Sequence, residues 1–159
     1  MKKIIVLFFF STITFFGQKS ETPLNTFSFE EAFAMQEKEE RPLFIFFHTD
    51  WCKYCFTMKK NTFANPKTIE LLNTNFYFVS FDAESKEDIT IKENLFQNKT
   101  GTHQIVEALA SKNGSISYPS TIILSAKNTI DEQIDSFLSA KQLHKLLKAY
   151  LKQQHINNH

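Results

Sequence analysis

The feature that most constrains the fold is a short apolar run followed closely by two cysteines. Residues 43–47 are continuously apolar, which is typical of a strand buried on both faces of an α/β sheet. The segment Trp51–Cys55 then holds the only tryptophan and the only two cysteines of the chain. A disulfide between residues three apart closes a very small ring, and cross-linking stabilises more as the closed loop lengthens. The pair is therefore suited to being formed and broken, and the sequence predicts redox chemistry.

The N-terminal residues predict export. Two lysines follow Met1 and precede an apolar run, Ile4–Phe10, and a small residue, Gly17, comes near the end of the segment. This pattern is that of a secretory signal peptide, and the run is shorter than the roughly 20 residues of a membrane span. We assign residues 1–18 to the signal peptide and expect a periplasmic or otherwise extracytoplasmic protein. The alternative, an uncleaved N-terminal membrane anchor, also places the domain outside the cytoplasm.

The rest of the chain is predicted to form one domain, residues 24–154, followed by a disordered tail, residues 155–159. About 140 residues are enough for one hydrophobic core. The formal net charge of +1 gives no reason to expect a nucleic-acid partner, and three glycines leave no glycine-rich phosphate loop. We therefore expect no cofactor. No dimerisation segment is evident, so a monomer is expected.

Hydrophobic periodicity and capping residues predict the order of helices and strands. Ser28 with Glu31 three residues later forms a capping box, and Asn65-Pro66 is a second helix start. Helices are predicted over residues 29–39, 55–61, from 66 onward, 102–112 and 139–153. Strands are predicted over residues 43–47, 76–81, 120–125 and 129–136. Alternating residues 89–96 favour a hairpin that turns near 93–94.

This order of elements resembles the thioredoxin fold. A buried strand leads to Trp-Cys-x-x-Cys at a helix start, and a proline precedes the strand that begins the final ββα unit. The strings that carry the likeness are Asp50-Trp51-Cys52, Thr62-Phe63, Asn65-Pro66 and Phe81-Asp82-Ala83. They are similar to exported thioredoxin-like proteins and to the C-terminal domain of the electron-relay protein DsbD. The resemblance implies an α/β fold, a three-layer α/β/α sandwich with a mixed central sheet.

The resemblance also implies the roles of the two cysteines. Cys52 corresponds to the nucleophile and Cys55 to the resolving thiol. Elementary physics agrees, because unpaired N–H groups and the helix dipole at a helix N-terminus stabilise a thiolate, the species that attacks a disulfide. Pro119 resembles the family's cis-proline beside the active site, although the sequence itself does not define the isomer. The residues expected to contact substrate are Trp51, Lys53, Tyr54, Tyr118 and Pro119.

Two positions depart from the family pattern. Phe46 occupies the place, six residues before the nucleophile, where thioredoxins commonly have a buried aspartate. The usual proton acceptor for Cys55 is therefore missing, and Asp82 and Glu84 are only distant candidates for it. The dipeptide Lys53-Tyr54 between the cysteines adds a cation beside Cys52, which favours the thiolate and a more oxidising couple.

These features predict a thiol:disulfide oxidoreductase that reduces protein disulfides and takes electrons from a membrane thiol relay. The alternatives are a non-catalytic peptide- or protein-binding module, which the loss of the buried acid favours, and a disulfide oxidant or isomerase. A zinc site built from the two cysteines with His48 and His103 is a weaker alternative, and no metal is expected. His48 is instead expected to line the mouth of the active site, and His103 to begin a helix without a chemical role.

Overall fold

The computed structural model of the protein describes residues 22–157, so the predicted signal peptide lies outside the described residues. This part of the chain contains six strands and five helices. The strands are β1 (Leu43–His48), β2 (Tyr77–Asp82), β3 (Ile89–Ile91), β4 (Asn94–Phe96), β5 (Ser120–Leu124) and β6 (Ile130–Ile134). The helices are α1 (Phe29–Gln36), α2 (Lys53–Thr57), α3 (Pro66–Asn75), α4 (Gln104–Ala110) and α5 (Ala140–Asn157). A π-helical segment, Met58–Thr62, continues α2.

Four strands form a mixed sheet in the order β2-β1-β5-β6. β1 pairs with β2 in parallel, whereas the pairs β1–β5 and β5–β6 are antiparallel. β3 and β4 form a separate antiparallel hairpin, which confirms the prediction for residues 89–96. Helices cover both faces of the four-stranded sheet, which gives the predicted three-layer α/β/α arrangement. Among the described residues, no helix is both long and apolar enough to span a membrane.

β1 lies at the centre of the protein, and all six of its residues are buried. Its side chains alternate between two apolar clusters, as the period of a strand requires. Leu43, Ile45 and Phe47 pack with residues of α1 and α4, on what we call the α1 face. Phe44 and Phe46 pack with both cysteines and with residues of α3 and α5, on what we call the cysteine face. The continuous apolar run therefore supplies both halves of the core.

Two helix starts form as the sequence predicts. The N–H of Glu31 donates to Ser28 Oγ at 3.1 Å, and the Ser28 N–H donates to Glu31 Oε2 at 2.9 Å, so the capping box is complete. The Asn65 side chain accepts from the N–H groups of Lys67 and Thr68 at 3.1 and 3.4 Å, with Pro66 as the first residue of α3. These caps satisfy backbone donors that have no partner within the helix.

The extent of α4 differs from the prediction. The predicted helix covers residues 102–112. In the structure α4 begins at Gln104, directly after its N-cap His103, and ends at Ala110. Asn113 and Gly114 take positive φ values of 52° and 76°. They form a turn between Lys112 and Ser115, which pair with each other, and do not cap the helix directly. Within α4, Ile105, Val106 and Ala110 are buried, whereas Ala108 is exposed.

Other element ends also shift. α1 ends at Gln36, before the predicted residue 39, and the Lys38 N–H then donates to the Met35 carbonyl in an i→i−3 turn at 3.0 Å. Ile69 and Leu71 of α3 are only half-buried, while Leu72 is fully buried. β6 is shorter than predicted, residues 130–134. α5 continues to Asn157, so residues 155–157 are helical where a disordered tail is predicted.

Candidate active site

The two cysteines form a disulfide at the start of α2. Cys52 is the N-cap, and its Sγ accepts the backbone N–H of Cys55 at 3.1 Å. Cys52 is 5% exposed and Cys55 is 1% exposed. The arrangement leaves Cys52 as the outer sulfur and shields Cys55 one turn into the helix. A thiolate formed at Cys52 would meet the backbone N–H donors of the first helical turn.

A tight turn brings the disulfide directly after the central strand. β1 ends at His48, and the Cys52 N–H donates to the carbonyl of Thr49 at 3.2 Å. α2 then runs into the π-helical segment, so the helix that begins at the disulfide packs Met58 beneath it in the same apolar cluster. The position of the cysteines is therefore fixed by the buried strand on one side and by core packing on the other.

Aromatic residues flank the disulfide on two sides. Trp51 and Tyr54 are 68% and 65% exposed. The Trp51 ring lies 6.0 Å from the Tyr118 ring, edge to face, and the Tyr54 ring lies 6.1 Å from the Phe137 ring. The Trp51 indole N–H donates to Glu84 Oε1 at 3.0 Å. The disulfide is therefore bordered by exposed aromatic surface.

The remaining predicted substrate residues also lie in this region. The Tyr118–Pro119 peptide bond is cis, the isomer that the family resemblance implies. Tyr118 contacts both apolar clusters, and burial together with nearby carboxylates, among them Glu84, raises the pKa of its hydroxyl. Lys53 is exposed and follows Cys52 directly. The structure therefore brings Trp51 and Tyr118 together, and places Lys53 and Tyr54 on the disulfide helix.

Sequence analysis missed two aromatic residues in this region. Phe137 lies after β6, far from the cysteines in sequence, and only the fold brings it to Tyr54. Phe56, an apolar residue of α2, is 65% exposed. Its place four residues after Cys52 puts it one helical turn further on, and that spacing was the available signal.

The place of the missing buried acid is filled by an aromatic ring. Phe46 is fully buried, and its ring lies 4.8 Å from that of Phe63. The two distant candidates for a proton acceptor lie together at the rim. Glu84 binds the Trp51 indole, and Asp82 Oδ1 accepts the Glu84 N–H at 3.0 Å. Neither carboxylate replaces the buried aspartate.

Two nitrogen bases meet beside this phenylalanine. His48 is 7% exposed, and its ring lies 5.6 Å from the Phe46 ring on the cysteine face. Lys59 Nζ lies 3.2 Å from His48 Nδ1. Burial and the Lys59 cation lower the pKa of His48 to about 4, despite opposing effects of Asp82 and Asp50, and burial also lowers the pKa of Lys59. The pair is therefore an ammonium donating to a neutral imidazole at neutral pH.

His48 is expected to line the mouth of the active site. It lies on the cysteine face, but it is buried and does not line an open entrance. Lys59 is a residue that sequence analysis missed. It lies in the π-helical segment Met58–Thr62, so its direction does not follow from the four-residue spacing after Cys55.

The four residues considered for zinc do not form a metal site. His103 Nδ1 accepts the Ile105 N–H at 3.2 Å, and its Nε2 donates to the Glu87 carbonyl at 2.9 Å. Both nitrogens of His103 are thus used in backbone bonds at the start of α4. Over residues 22–157, no group of three or more His, Cys, Asp and Glu side chains is arranged to hold a metal ion.

A mixed sheet covered by helices on both faces, a disulfide at the start of α2 and a cis-proline before β5 together characterise the thioredoxin fold. A thioredoxin-like family model matches residues 23–125. The chain belongs to the thioredoxin-like family.

Solved structures show the same fold at low sequence identity. The oxidoreductase DsbH has a TM-score of 0.61 and 17% identity, over 82% of this chain and 86% of that one. A thioredoxin from Thermus thermophilus has a TM-score of 0.60 and 17% identity, over 82% and 88% of the two chains. The reduced C-terminal domain of Neisseria meningitidis DsbD has a TM-score of 0.52 and 17% identity, over 73% and 86%. The predicted likeness to DsbD is confirmed at the level of fold.

Curated relatives match a shorter stretch. Spermatogenesis-associated protein 20 of Rattus norvegicus is 32% identical over 73 residues, which is 45% of this chain and 9% of that protein. The Mus musculus protein of the same name is 35% identical over 60 residues, 38% of this chain and 8% of that protein. The chain thus spans less than a tenth of the length of these two relatives.

Proposed function

We propose that the protein is an exported thiol:disulfide oxidoreductase that reduces disulfides in other proteins. The observation that carries the proposal is the Cys52–Cys55 disulfide at a helix start, with Cys52 outermost and Cys55 buried. The exposed rings of Trp51 and Tyr54 offer a protein substrate an apolar surface next to the sulfurs. The fold and the cysteine pair together support thiol–disulfide redox chemistry. That electrons flow from this protein to its substrate is part of the proposal.

The reaction begins with the reduced dithiol. The Cys52 thiolate attacks one sulfur of a substrate disulfide, forms a mixed disulfide and expels the other substrate sulfur as a thiolate. Cys55 loses its proton to solvent or to the expelled thiolate and attacks Cys52 Sγ. The Cys52–Cys55 disulfide forms, and the second substrate thiolate leaves. Two electrons have then passed to the substrate, and its two thiolates take up protons equal in number to those that Cys52 and Cys55 released. A membrane thiol relay is the proposed donor that reduces the protein again.

Reduction of insulin by dithiothreitol tests this proposal. The wild-type protein is expected to accelerate precipitation of the insulin B chain, and Cys52→Ser is expected to abolish the acceleration because no nucleophile remains. Cys55→Ser is expected to accumulate mixed disulfides, visible as thiol-sensitive bands on a gel. Undiminished turnover by Cys52→Ser would contradict the proposal.

The reduction potential decides between reductase and oxidant. Equilibration against glutathione can be followed through the fluorescence of Trp51, the only tryptophan. A value near roughly −270 mV is expected for a reductant, whereas a value near roughly −120 mV would identify an oxidant. Export is tested separately, by fusing residues 1–24 to a reporter that is active only outside the cytoplasm.

A second function, a peptide-binding module, is favoured by one observation. Trp51, Tyr54 and Phe56 are all more than 60% exposed around a disulfide whose usual buried acid is replaced by Phe46. Such a surface could dock a polypeptide without turnover. Retained partner binding by a Cys52→Ser, Cys55→Ser double variant, together with no redox transition in the wild type, would favour this function over the first.

A further inference from the structure

Two buried hydroxyls near the disulfide have no hydrogen-bond partner. Among the buried side-chain nitrogen and oxygen atoms of residues 22–157, these are Thr49 Oγ1 and Thr121 Oγ1. Thr49 lies three residues before Cys52, and Thr121 lies two residues after Pro119. Native proteins pair the large majority of buried polar side-chain atoms, because an unpaired one is costly. That both exceptions flank the active-site region points to a role there.

Strand pairing places Thr121 on the same side of the sheet as the cysteines. Thr121 lies in register with Phe46 of β1 and with Ile134 of β6, and both of these residues pack in the cluster that contains Cys52 and Cys55. Ile123, two residues further along β5, belongs to the same cluster, whereas Ile122 faces the opposite one. Because side chains alternate along a strand, the Thr121 hydroxyl lies on the cysteine face. It is fully buried there.

The disulfide and the dithiol offer this hydroxyl different partners. In the disulfide, the Cys55 sulfur carries no proton and is bonded to Cys52. Reduction adds two electrons and two protons and leaves a thiol on each cysteine. The Cys55 sulfur then becomes a weak donor as a thiol and a strong acceptor as a thiolate, and a threonine hydroxyl can both donate and accept.

We propose that Thr121 is a positioning residue for the resolving cysteine, with its hydroxyl bonded to the Cys55 sulfur in the reduced protein and unpaired in the oxidised one. The proposal rests on the redox function proposed above. An unpaired buried hydroxyl penalises only the oxidised state, so Thr121 shifts the equilibrium toward the dithiol. Phe46 leaves no carboxylate at the neighbouring position of β1, so the hydroxyl supplies a polar contact on that part of the sheet.

The test compares three variants of the protein at equilibrium with glutathione. Thr121→Val removes the hydroxyl and keeps the shape, and it is expected to lower the equilibrium constant for reduction by about tenfold, which equals about 30 mV. Thr121→Ser keeps a hydroxyl and is expected to stay near the wild type. Ser120→Ala is the matched control, because the adjacent hydroxyl donates to Asp135 Oδ1 at 2.8 Å. It is expected to leave the potential unchanged.

Urea unfolding of both redox forms gives a readout that a purely structural role would not produce. Thr121→Val is expected to destabilise the reduced form and to leave the oxidised form unchanged or more stable. Equal changes in the free energy of unfolding of the two forms, with an unchanged reduction potential, would overturn the inference. A buried water molecule bonded to Thr121 in both redox states would give that result. A wild-type protein without any redox transition would instead overturn the proposed function, and this inference with it.

A measurement on a protein that keeps Thr121 covers the case in which Thr121→Val does not fold. In Cys52→Ser the only thiol is that of Cys55, so a Raman spectrum shows a single S–H stretch. A frequency lowered by hydrogen bonding, which returns toward the free-thiol value in Cys52→Ser with Thr121→Ala, is expected. A free-thiol frequency in Cys52→Ser itself would overturn the inference.

Discussion

The two faces of the central sheet differ in whether their buried polar groups have hydrogen-bond partners. On the α1 face, the Gln36 amide donates to the carbonyls of Arg41 and Ser125 at 2.9 and 3.3 Å. His103 uses both ring nitrogens in backbone bonds on that side. On the cysteine face, Thr121 has no partner, although Thr62 and Thr68, further from the sheet, are both bonded.

The cysteine face also pairs two bases where a carboxylate is usual. His48 Nδ1 accepts from Lys59, and Phe46 fills the place of the acid. A polar group that already has its hydrogen-bond partners contributes the same stability whatever the redox state of the cysteines. An unpaired buried group carries a free-energy penalty, and that penalty changes when a neighbouring group becomes able to bond to it. Under the inference above, the unpaired Thr121 hydroxyl makes the stability of the cysteine face depend on the redox state of the disulfide, whereas the bonded groups named on the α1 face are the same in both states.

The largest expected effect comes from a matched pair of core residues. Ile122 and Ile123 are neighbours on β5, both fully buried, and they point to opposite faces. Replacing either by alanine is expected to lower the free energy of unfolding by about 2–5 kcal/mol, through lost burial and a cavity. Ile122→Ala should do so equally in both redox forms, but Ile123→Ala should not, because its cluster contains the cysteines. Urea denaturation of the oxidised and reduced forms measures this. An equal effect of Ile123→Ala on both forms would contradict a difference between the two faces in their response to the disulfide.

The next effect concerns a partnered hydroxyl on the α1 face. Ser120→Ala removes the donor to Asp135, a half-buried carboxylate that also accepts from Gln133 at 3.3 Å. The free energy of unfolding is expected to fall by about 1–2 kcal/mol in the oxidised and in the reduced protein alike. Chemical denaturation of both forms checks this. A loss confined to one form would mean that the α1 face also responds to the disulfide.

A third prediction uses pH. The pKa of His48 is lowered to about 4 in the folded protein, while the unfolded chain has an ordinary value near 6.5. As pH falls below about 6.5, the unfolded state binds a proton that the folded state does not, so the free energy of unfolding decreases until the pH reaches about 4. Above this window, His48 adds no pH dependence. Burial also lowers the pKa of His144, which acts in the same direction.

The variant His48→Gln isolates this contribution, because it keeps an acceptor for Lys59. Between pH 7 and pH 5 the wild type is expected to lose about 1–2 kcal/mol more than the variant, after allowance for solvent screening. His155→Gln, at an exposed position near the end of α5, is the matched control and should follow the wild type. Urea unfolding at the two pH values measures both. An identical slope in His48→Gln and wild type would show that His48 titrates normally in the folded protein.

The sequence predicted the parts of the site that depend on local pattern. The apolar run of β1, the caps at Ser28 and Asn65, and the cysteine spacing are short-range signals whose physical meaning does not depend on the rest of the fold. The mixed central sheet followed from the family resemblance, and it is confirmed by the parallel pairing of β1 with β2 and the antiparallel pairing of β1 with β5.

The features that escaped prediction depend on register across the sheet or on irregular backbone. Thr121 lies beside Phe46 only because of the β1–β5 register, which no local pattern encodes. Lys59 lies in a π-helical segment, where the spacing from Cys55 is not that of a regular helix. α4 ends at Ala110, and the turn at Asn113-Gly114, which begins three residues further on, is closed by the pairing of Lys112 with Ser115 and does not cap the helix.

The smallest effect on stability is expected from Glu84, an exposed carboxylate at the edge of the active site that accepts a hydrogen bond from the Trp51 indole. Glu84→Gln weakens a charge-assisted bond of 3.0 Å, and an exposed contact of this kind contributes less than about 1 kcal/mol. The free energy of unfolding and the reduction potential should therefore stay near wild type, while the fluorescence anisotropy of Trp51 falls because the ring turns more freely. Glu70→Gln, at an exposed position on α3, is the control and should leave the anisotropy unchanged. A shift in potential with Glu84→Gln would place part of the redox control at the rim, outside the buried cysteine face.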